Sequence, residues 1–435
     1  MEKQAACAAP SNSSGVVVEL EPSDRAFQST SRVAAFEESR DTEPDPSKRD
    51  PFQTVVASLV TAMVSSRVVA GDSRLGERAA SPVRPEPNPA AARRGTPGAS
   101  TPSMNRYPGL VALVQNPFGQ VLVALVTPFT SDGEVAWDDV EKHIDDVITA
   151  GADGIVVTGT TGETSTLTDA EKLRLVEVGK SVAAGRAKII TGGGSNETAH
   201  AIELYRASER AGADGVMIVT PYYNKPTQAG ILTHFRMIAD ATDLPVILYD
   251  IPGRTGVPIR YETILRVAKH PNVVAVKDAK GDFSEVSRVL NQTDLLYFSG
   301  DDANVLPHLS IGASGLIGVT ANIAATPYRQ MIDAVNAGDL ATATAAHRRL
   351  EPLVRAVMTH VPGTVAAKYI LHGLGRISSP RVRLPLVGPE EWEAAQIEDE
   401  IDLVTDIPGV DFSNFRPDRN AAAGGALPKV HGTTR

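Results

Sequence analysis

Cysteine is almost absent. The single residue, Cys7, excludes an intramolecular disulfide, a Cys-based metal site and a thiol nucleophile beyond the first few positions. The implied compartment is reducing or indifferent to redox state. Excess positive charge is also missing: the formal net charge is −10 and the sequence pI is near 5.5, so no basic field is available to hold a phosphate backbone and nucleic acid is not an expected partner. Long hydrophobic runs are lacking too. The stretch from Val55 to Val69 is interrupted by serines and Arg67 and falls short of the roughly 20 apolar residues a bilayer span needs, and it does not begin at the terminus as a secretory signal would. Close His/Cys pairing of the zinc type is not found either. His200, His234 and His270 stand on helical segments, so no metal is expected.

What is present is a 435-residue chain, 42% hydrophobic and 22% charged, with the composition of a globular protein and enough apolar residues for a sizeable core. Residues 1–103 are rich in Pro, Ala, Ser and Arg without sustained periodicity. They are expected to be disordered or a spurious extension with initiation near Met104, and their acidic residues argue against an organellar transit peptide. From Pro117 the texture changes to short apolar runs alternating with amphipathic segments. Eight such runs begin at Val121, Gly154, Lys188, Gly215, Pro245, Val273, Leu295 and Gly315. They are continuously apolar, as parallel strands covered on both faces must be, and the βα alternation predicts an α/β fold, a closed (β/α)8 barrel of the TIM type, over 119–326.

Helix start signals agree. Thr168 to Glu171 reads as a capping box, and Asp282 precedes the sixth helix. AGADGIVVTG from Ala150 and AGADGVMIVT from Ala211 repeat a glycine stop and turn before a strand, with IGASGLIGVT from Ile311 as a looser copy. Residues 327–407 form an expected C-terminal α-helical appendage, with helices at Pro327–Asn336, Leu340–Met358, Val365–Gly373 and Glu390–Asp402. From 408 to 435 a flexible tail is expected.

Barrel enzymes carry their reacting groups at the C-terminal ends of the strands. Lys277 lies within the apolar run VVAVKDA, where burial makes a charged ammonium costly and favours the free amine that attacks a ketone. A structural ion pair with a nearby Asp is the plainer alternative. Tyr223, Tyr249 and Thr160, also at strand ends, offer hydroxyls that can pass protons without adding charge. Thr161 and Gly162 form a tight turn suited to a carboxylate, and Arg254 offers a planar fork for a second one, so two acidic small molecules are the expected substrates. The run Gly192-Gly193-Gly194 has no Lys-Ser/Thr after it and is not a phosphate cradle.

The motifs GTTGE, PYYNKP, LYDIPGRTG, VKDAKGD and SGDD, in this order, resemble the dihydrodipicolinate synthase/N-acetylneuraminate lyase superfamily from about Gln120 to Leu403. Thr160-Thr161 with Arg254 is similar to its synthase branch. The resemblance implies a lyase acting in lysine and diaminopimelate biosynthesis, without a cofactor. In it Lys277 forms an imine with pyruvate, and Tyr249, Thr160 and Tyr223 relay protons, Tyr223 in the neighbouring subunit's site. It further implies that Thr161 holds the pyruvate carboxylate, that Arg254 holds that of aspartate-4-semialdehyde, and that Gly300 and Ile317 line the pocket. A cytoplasmic homotetramer, a dimer of dimers, is the implied assembly. One departure concerns the site where some members bind inhibitory lysine: a Glu there reads His200, and two positions commonly His read Asp169 and Lys172, which implies weak lysine feedback. A 2-keto-3-deoxy sugar acid aldolase of the same superfamily, or a barrel that has lost catalysis, are the competing readings. The first is disfavoured by the short loops and Arg254, the second by the presence of Lys277 and Tyr249.

Overall fold

The structure, a computed structural model, describes residues 116–404 and 406–419. The expectations for residues 1–103 and for 420–435 lie outside the described residues. Eight parallel strands close into a barrel in sequence order. They are β1 Val121–Ala124, β2 Gly154–Val157, β3 Lys188–Thr191, β4 Gly215–Val219, β5 Val246–Asp250, β6 Val273–Asp278, β7 Leu296–Ser299 and β8 Gly315–Gly318. β8 pairs with β1 through Leu122 and Ile317, which completes the ring, so the expected (β/α)8 barrel is the fold observed.

The helices follow in alternation: α1 Trp137–Thr149, α2 Asp169–Ala183, α3 Thr198–Arg210, α4 Gln228–Ala239, the single turn α5 Pro252–Thr255, α6 Tyr261–Val267, α7 Phe283–Leu290, α8 Val305–Ser310 and α9 Ala325–Asn336. Thr168 caps α2 in a full capping box with Glu171, and Asp282 takes the Glu285 N–H at 2.9 Å at the start of α7, as their positions predict. The repeated AGAD segments close helices on Gly151 and Gly212, whose φ of 105° and 96° lie in the left-handed region. Asp153, which follows the first of these stops, accepts the N–H groups of Gln120 and Val121 at the start of β1, at 2.7 and 3.0 Å. Asp214, after the second, accepts that of Ile189 in β3 at 2.8 Å. Each repeat thus ties one βα unit to the strand before it.

Period-two alternation divides the core. Residues pointing into the barrel, among them Leu122, Val156, Ile190, Met217, Ile247, Ala275, Phe298 and Ile317, form one buried cluster with Tyr249. Those pointing outward pack beneath the helices. The barrel continues past the expected limit at 326, because α9 is its eighth helix. Among the described residues no strand follows α9, so the alternation that marks the other helices as barrel elements is missing there.

The appendage consists of α10 Leu340–Met358, α11 Gly363–Gly373 and α12 Glu391–Asp402, within two residues of the predicted bounds. The segment 406–419, assigned from sequence to a loose tail from 408 on, packs against these helices as far as it is described. Phe415 meets Tyr369 edge to face with ring centroids 6.5 Å apart, Arg416 donates its N–H to Gly373 at 2.8 Å, and Arg419 pairs with Glu398. Two aromatics in a Pro- and Asn-rich stretch, Phe412 and Phe415, explain the docking.

Candidate active site

Alternation along β5 and β6 turns Tyr249 and Lys277 into the barrel and turns Asp250 and Asp278 outward. Tyr249 and Lys277 are register partners on neighbouring strands. The Lys277 ammonium nitrogen stands 4.3 Å from the centre of the Tyr249 ring, and both side chains are buried. Burial pushes the Lys277 amine down to about 8, with the Asp302 carboxylate opposing the fall and the Arg254 guanidinium adding to it. Burial also raises the Tyr249 phenol to about 12, against the pull of Arg254 and of a hydrogen bond with Thr160. At neutral pH the site therefore presents a substantial free-amine fraction beside a neutral phenol that is linked to a second hydroxyl. Among the described residues no carboxylate forms an ion pair with Lys277. The adjacent Asp278 is taken by His308, whose Nε2 lies 3.0 Å away, so the structural ion pair weighed from sequence is not formed.

Gly300, at the end of β7, makes room for this lysine. A Cβ placed there would stand 2.9 Å from Lys277 Cγ and 3.0 Å from Cε. Ile317 is fully buried on the inner wall. The Thr161-Gly162 turn follows β2. Gly162 accepts the Thr127 hydroxyl at 2.8 Å, and a Cβ on it would meet Leu125 O at 3.1 Å. Thr158 and Glu163, on either side of this turn, both have φ of 58°, a left-handed conformation that costs a non-glycine residue energy and clusters at functional sites.

A cavity of about 220 Å³ opens at this end of the barrel. Thr160, Tyr222, Tyr249 and Arg254 line it, with Gly192 and Gly194 of the glycine run on its wall. Arg254, on α5, is exposed and can meet an anion entering from solvent. Tyr223 does not share this cavity. It is 90% exposed at φ 72°, on a turn pinned by Asn196, whose amide donates to Tyr222 O at 3.1 Å while Asn224 donates to Asn196 O at 3.1 Å. The fold thus sets Thr160, Tyr249 and Arg254 on the cavity wall, Lys277 against the Tyr249 ring with Gly300 beside it, and Ile317 in the same inner cluster, and it sends Tyr223 outward.

Sequence reasoning missed Asp302. It is buried behind the site, its carboxyl raised by burial, and it accepts the N–H groups of Val319 and Thr320 at 3.0 and 2.8 Å. Its place in SGDD, directly after the strand end at Gly300, was the available signal. Away from the cavity, His200 Nε2 lies 2.8 Å from Asp169, which also holds the Lys172 ammonium at 3.2 Å. His234 hydrogen-bonds Thr198 at 3.0 Å, and burial depresses it to about 4. His270 pairs with Asp240 at 2.9 Å.

The model of the dihydrodipicolinate synthetase family matches residues 117–403. Over 287 residues the chain is 50% identical to the 4-hydroxy-tetrahydrodipicolinate synthase of Kineococcus radiotolerans, covering 66% of this chain and 93% of that protein. Over 285 residues it is 48% identical to the enzyme of the same name from Acidothermus cellulolyticus, covering 66% and 92%. The crystal structure of the synthase from Cyanidioschyzon merolae with lysine bound superposes with a TM-score of 0.64 at 39% identity, covering 67% of this chain and 99% of that one.

Proposed function

The chain belongs to the dihydrodipicolinate synthetase family, and from that premise we infer that it is a lyase, a 4-hydroxy-tetrahydrodipicolinate synthase of lysine biosynthesis acting on small molecules. Pyruvate and aspartate-4-semialdehyde are its substrates in this reading. The observation that carries the chemistry is the register pairing of Lys277 with Tyr249 inside the barrel, where burial lowers the amine and keeps the phenol neutral.

In this mechanism the neutral Lys277 amine attacks the keto carbon of pyruvate. Water leaves, and a protonated imine forms at Lys277 with no separate cofactor. Loss of a methyl proton converts the imine to an enamine, whose carbon adds to the aldehyde. The amine of the bound semialdehyde then attacks the imine carbon, closing the ring and freeing Lys277. Each step moves a proton near one carbon, which the hydrogen-bonded Tyr249 and Thr160 can serve as a chain, with Tyr223 as its outer member. The Thr161-Gly162 turn holds the pyruvate carboxylate, and Arg254 the carboxylate of the second substrate.

The exposure of Tyr223 on a pinned turn supports a role in the site of a second subunit, within a homotetramer built as a dimer of dimers. A cytoplasmic location belongs to the same reading. Among the described residues no helix is long and apolar enough to cross a membrane. The Asp169 carboxylate, bound by both His200 and Lys172, is already engaged where an inhibitory lysine would need a free anion, and this supports weak feedback.

Borohydride trapping with pyruvate, followed by intact-mass and peptide analysis, tests the mechanism. A pyruvate adduct on Lys277, with turnover of aspartate-4-semialdehyde, is the expected result. No adduct on folded protein would refute it, and turnover of polyhydroxy aldehydes alone would identify a sugar-acid aldolase instead.

A further inference from the structure

The turn that carries Thr161 and Gly162 is gripped from outside the barrel, by the C-terminal region. Thr364, in the first turn of α11, donates its hydroxyl to the backbone carbonyl of Thr161 at 2.6 Å. One helical turn on, the Lys368 ammonium pairs with Glu163, both side chains being buried, and donates also to Arg381 O at 3.0 Å while standing 3.9 Å over the Phe129 ring. The other Glu163 oxygen accepts the Arg383 N–H at 2.8 Å. The Arg383 guanidinium reaches further along the same loop, to Thr166 O at 2.9 Å and to both oxygens of Glu171.

Such an arrangement is an uneconomical way to fill a core, because an apolar pair of the same volume packs as well as a buried ion pair. What an apolar pair cannot do is hold Glu163 in its left-handed conformation, which persists only when its surroundings over-determine it. Residues 161 and 163 are each held by one contact from α11, so the plane of the peptide between Thr161 and Gly162, and with it the direction of the Gly162 N–H, is set by the helix and not by the strand alone.

We propose that Lys368 and Thr364 are positioning residues for the anion-binding turn, so that affinity for the keto acid is set in part by α11. This rests on the reading above, in which that turn receives the pyruvate carboxylate. Neither residue touches substrate in this role.

The test uses the full chain and measures the pyruvate concentration that gives half-maximal borohydride-trapped imine, together with the Michaelis constants in the complete reaction. Thr364→Val removes one hydrogen bond without changing shape. The expected rise in half-saturating pyruvate is about fivefold, the factor equivalent to one ordinary hydrogen bond of about 1 kcal/mol. The pair Glu163→Gln with Lys368→Met removes both charges together and is expected to raise it further, while the Michaelis constant for aspartate-4-semialdehyde stays within about twofold. Arg355→Met is the structural control. It breaks the α10 to α12 pair with Glu400 at 2.7 Å, an ion pair that shares no residue with the turn or with the contacts that grip it, and is expected to lower the melting temperature with pyruvate saturation unchanged. If the double variant does not fold, Thr364→Val decides alone. Unchanged half-saturation in the variants at the turn, or an equal shift in Arg355→Met, would overturn the proposal. Absence of trapping in the unmodified chain would instead overturn the reading on which it rests.

Discussion

The buried setting of Lys277 makes the rate of imine formation a function of pH that can be worked out in advance. Its amine is held near 8, where an ordinary lysine titrates near 10.5. At pH 7 an amine of that kind is free base to roughly one part in ten, against roughly one in three thousand for the ordinary group, a gain of about 300-fold in the reacting form. Raising pH removes the proton, so at saturating pyruvate the trapping rate should climb about tenfold per unit below the break and flatten above it. The break is also predicted to move with its electrostatic neighbours. Asp302 favours the ammonium and Arg254 disfavours it, so Asp302→Asn should shift the break to lower pH and Arg254→Met to higher pH. The assay is rapid-quench trapping followed by intact mass across pH 6 to about 11, the window spanning the depressed and ordinary values. A rate that rises without a break to the ordinary lysine value, or a break that both variants leave unmoved, would refute the reasoning.

Three further outcomes are expected. Gly300→Ala places a Cβ against Lys277 Cγ and Cε and Asp278 O; overpacking of about 1–3 kcal/mol and displacement of the amine should lower trapping by about 10²-fold in a protein that circular dichroism still finds folded. Tyr223→Phe, at a 90% exposed position, should leave the melting temperature of the chain nearly unchanged yet lower turnover by at least about 10²-fold, and mixing it with Lys277→Ala should restore part of the activity if the tyrosine serves a neighbouring subunit. Inhibition by lysine should be half-maximal only above about 1 mM, equivalent to some −4 kcal/mol; tighter inhibition in a steady-state titration would show that the His200, Asp169 and Lys172 cluster accepts the ligand after all.

The sequence by itself determined the class of fold and the inward-facing chemistry. Eight apolar runs of strand length, capped helices between them and repeated AGAD turns report local preferences, and parity along VILYD and VVAVKD decides that Tyr249 and Lys277 share a face with Ile247 and Ala275. Only the tertiary structure decided that these two are register partners, because the stagger between neighbouring strands of a closed barrel is not written in either strand alone. It also decided why Gly300 must lack a side chain, why Tyr223 faces outward, and that 406–419 is docked. The Lys368–Glu163 pair joins residues 205 positions apart. From the sequence, Lys368 is one lysine in an apolar helix and Glu163 one acid after a turn. Periodicity identifies the face each presents, but burial and partnership at that separation follow only from the way the C-terminal helices close over the barrel.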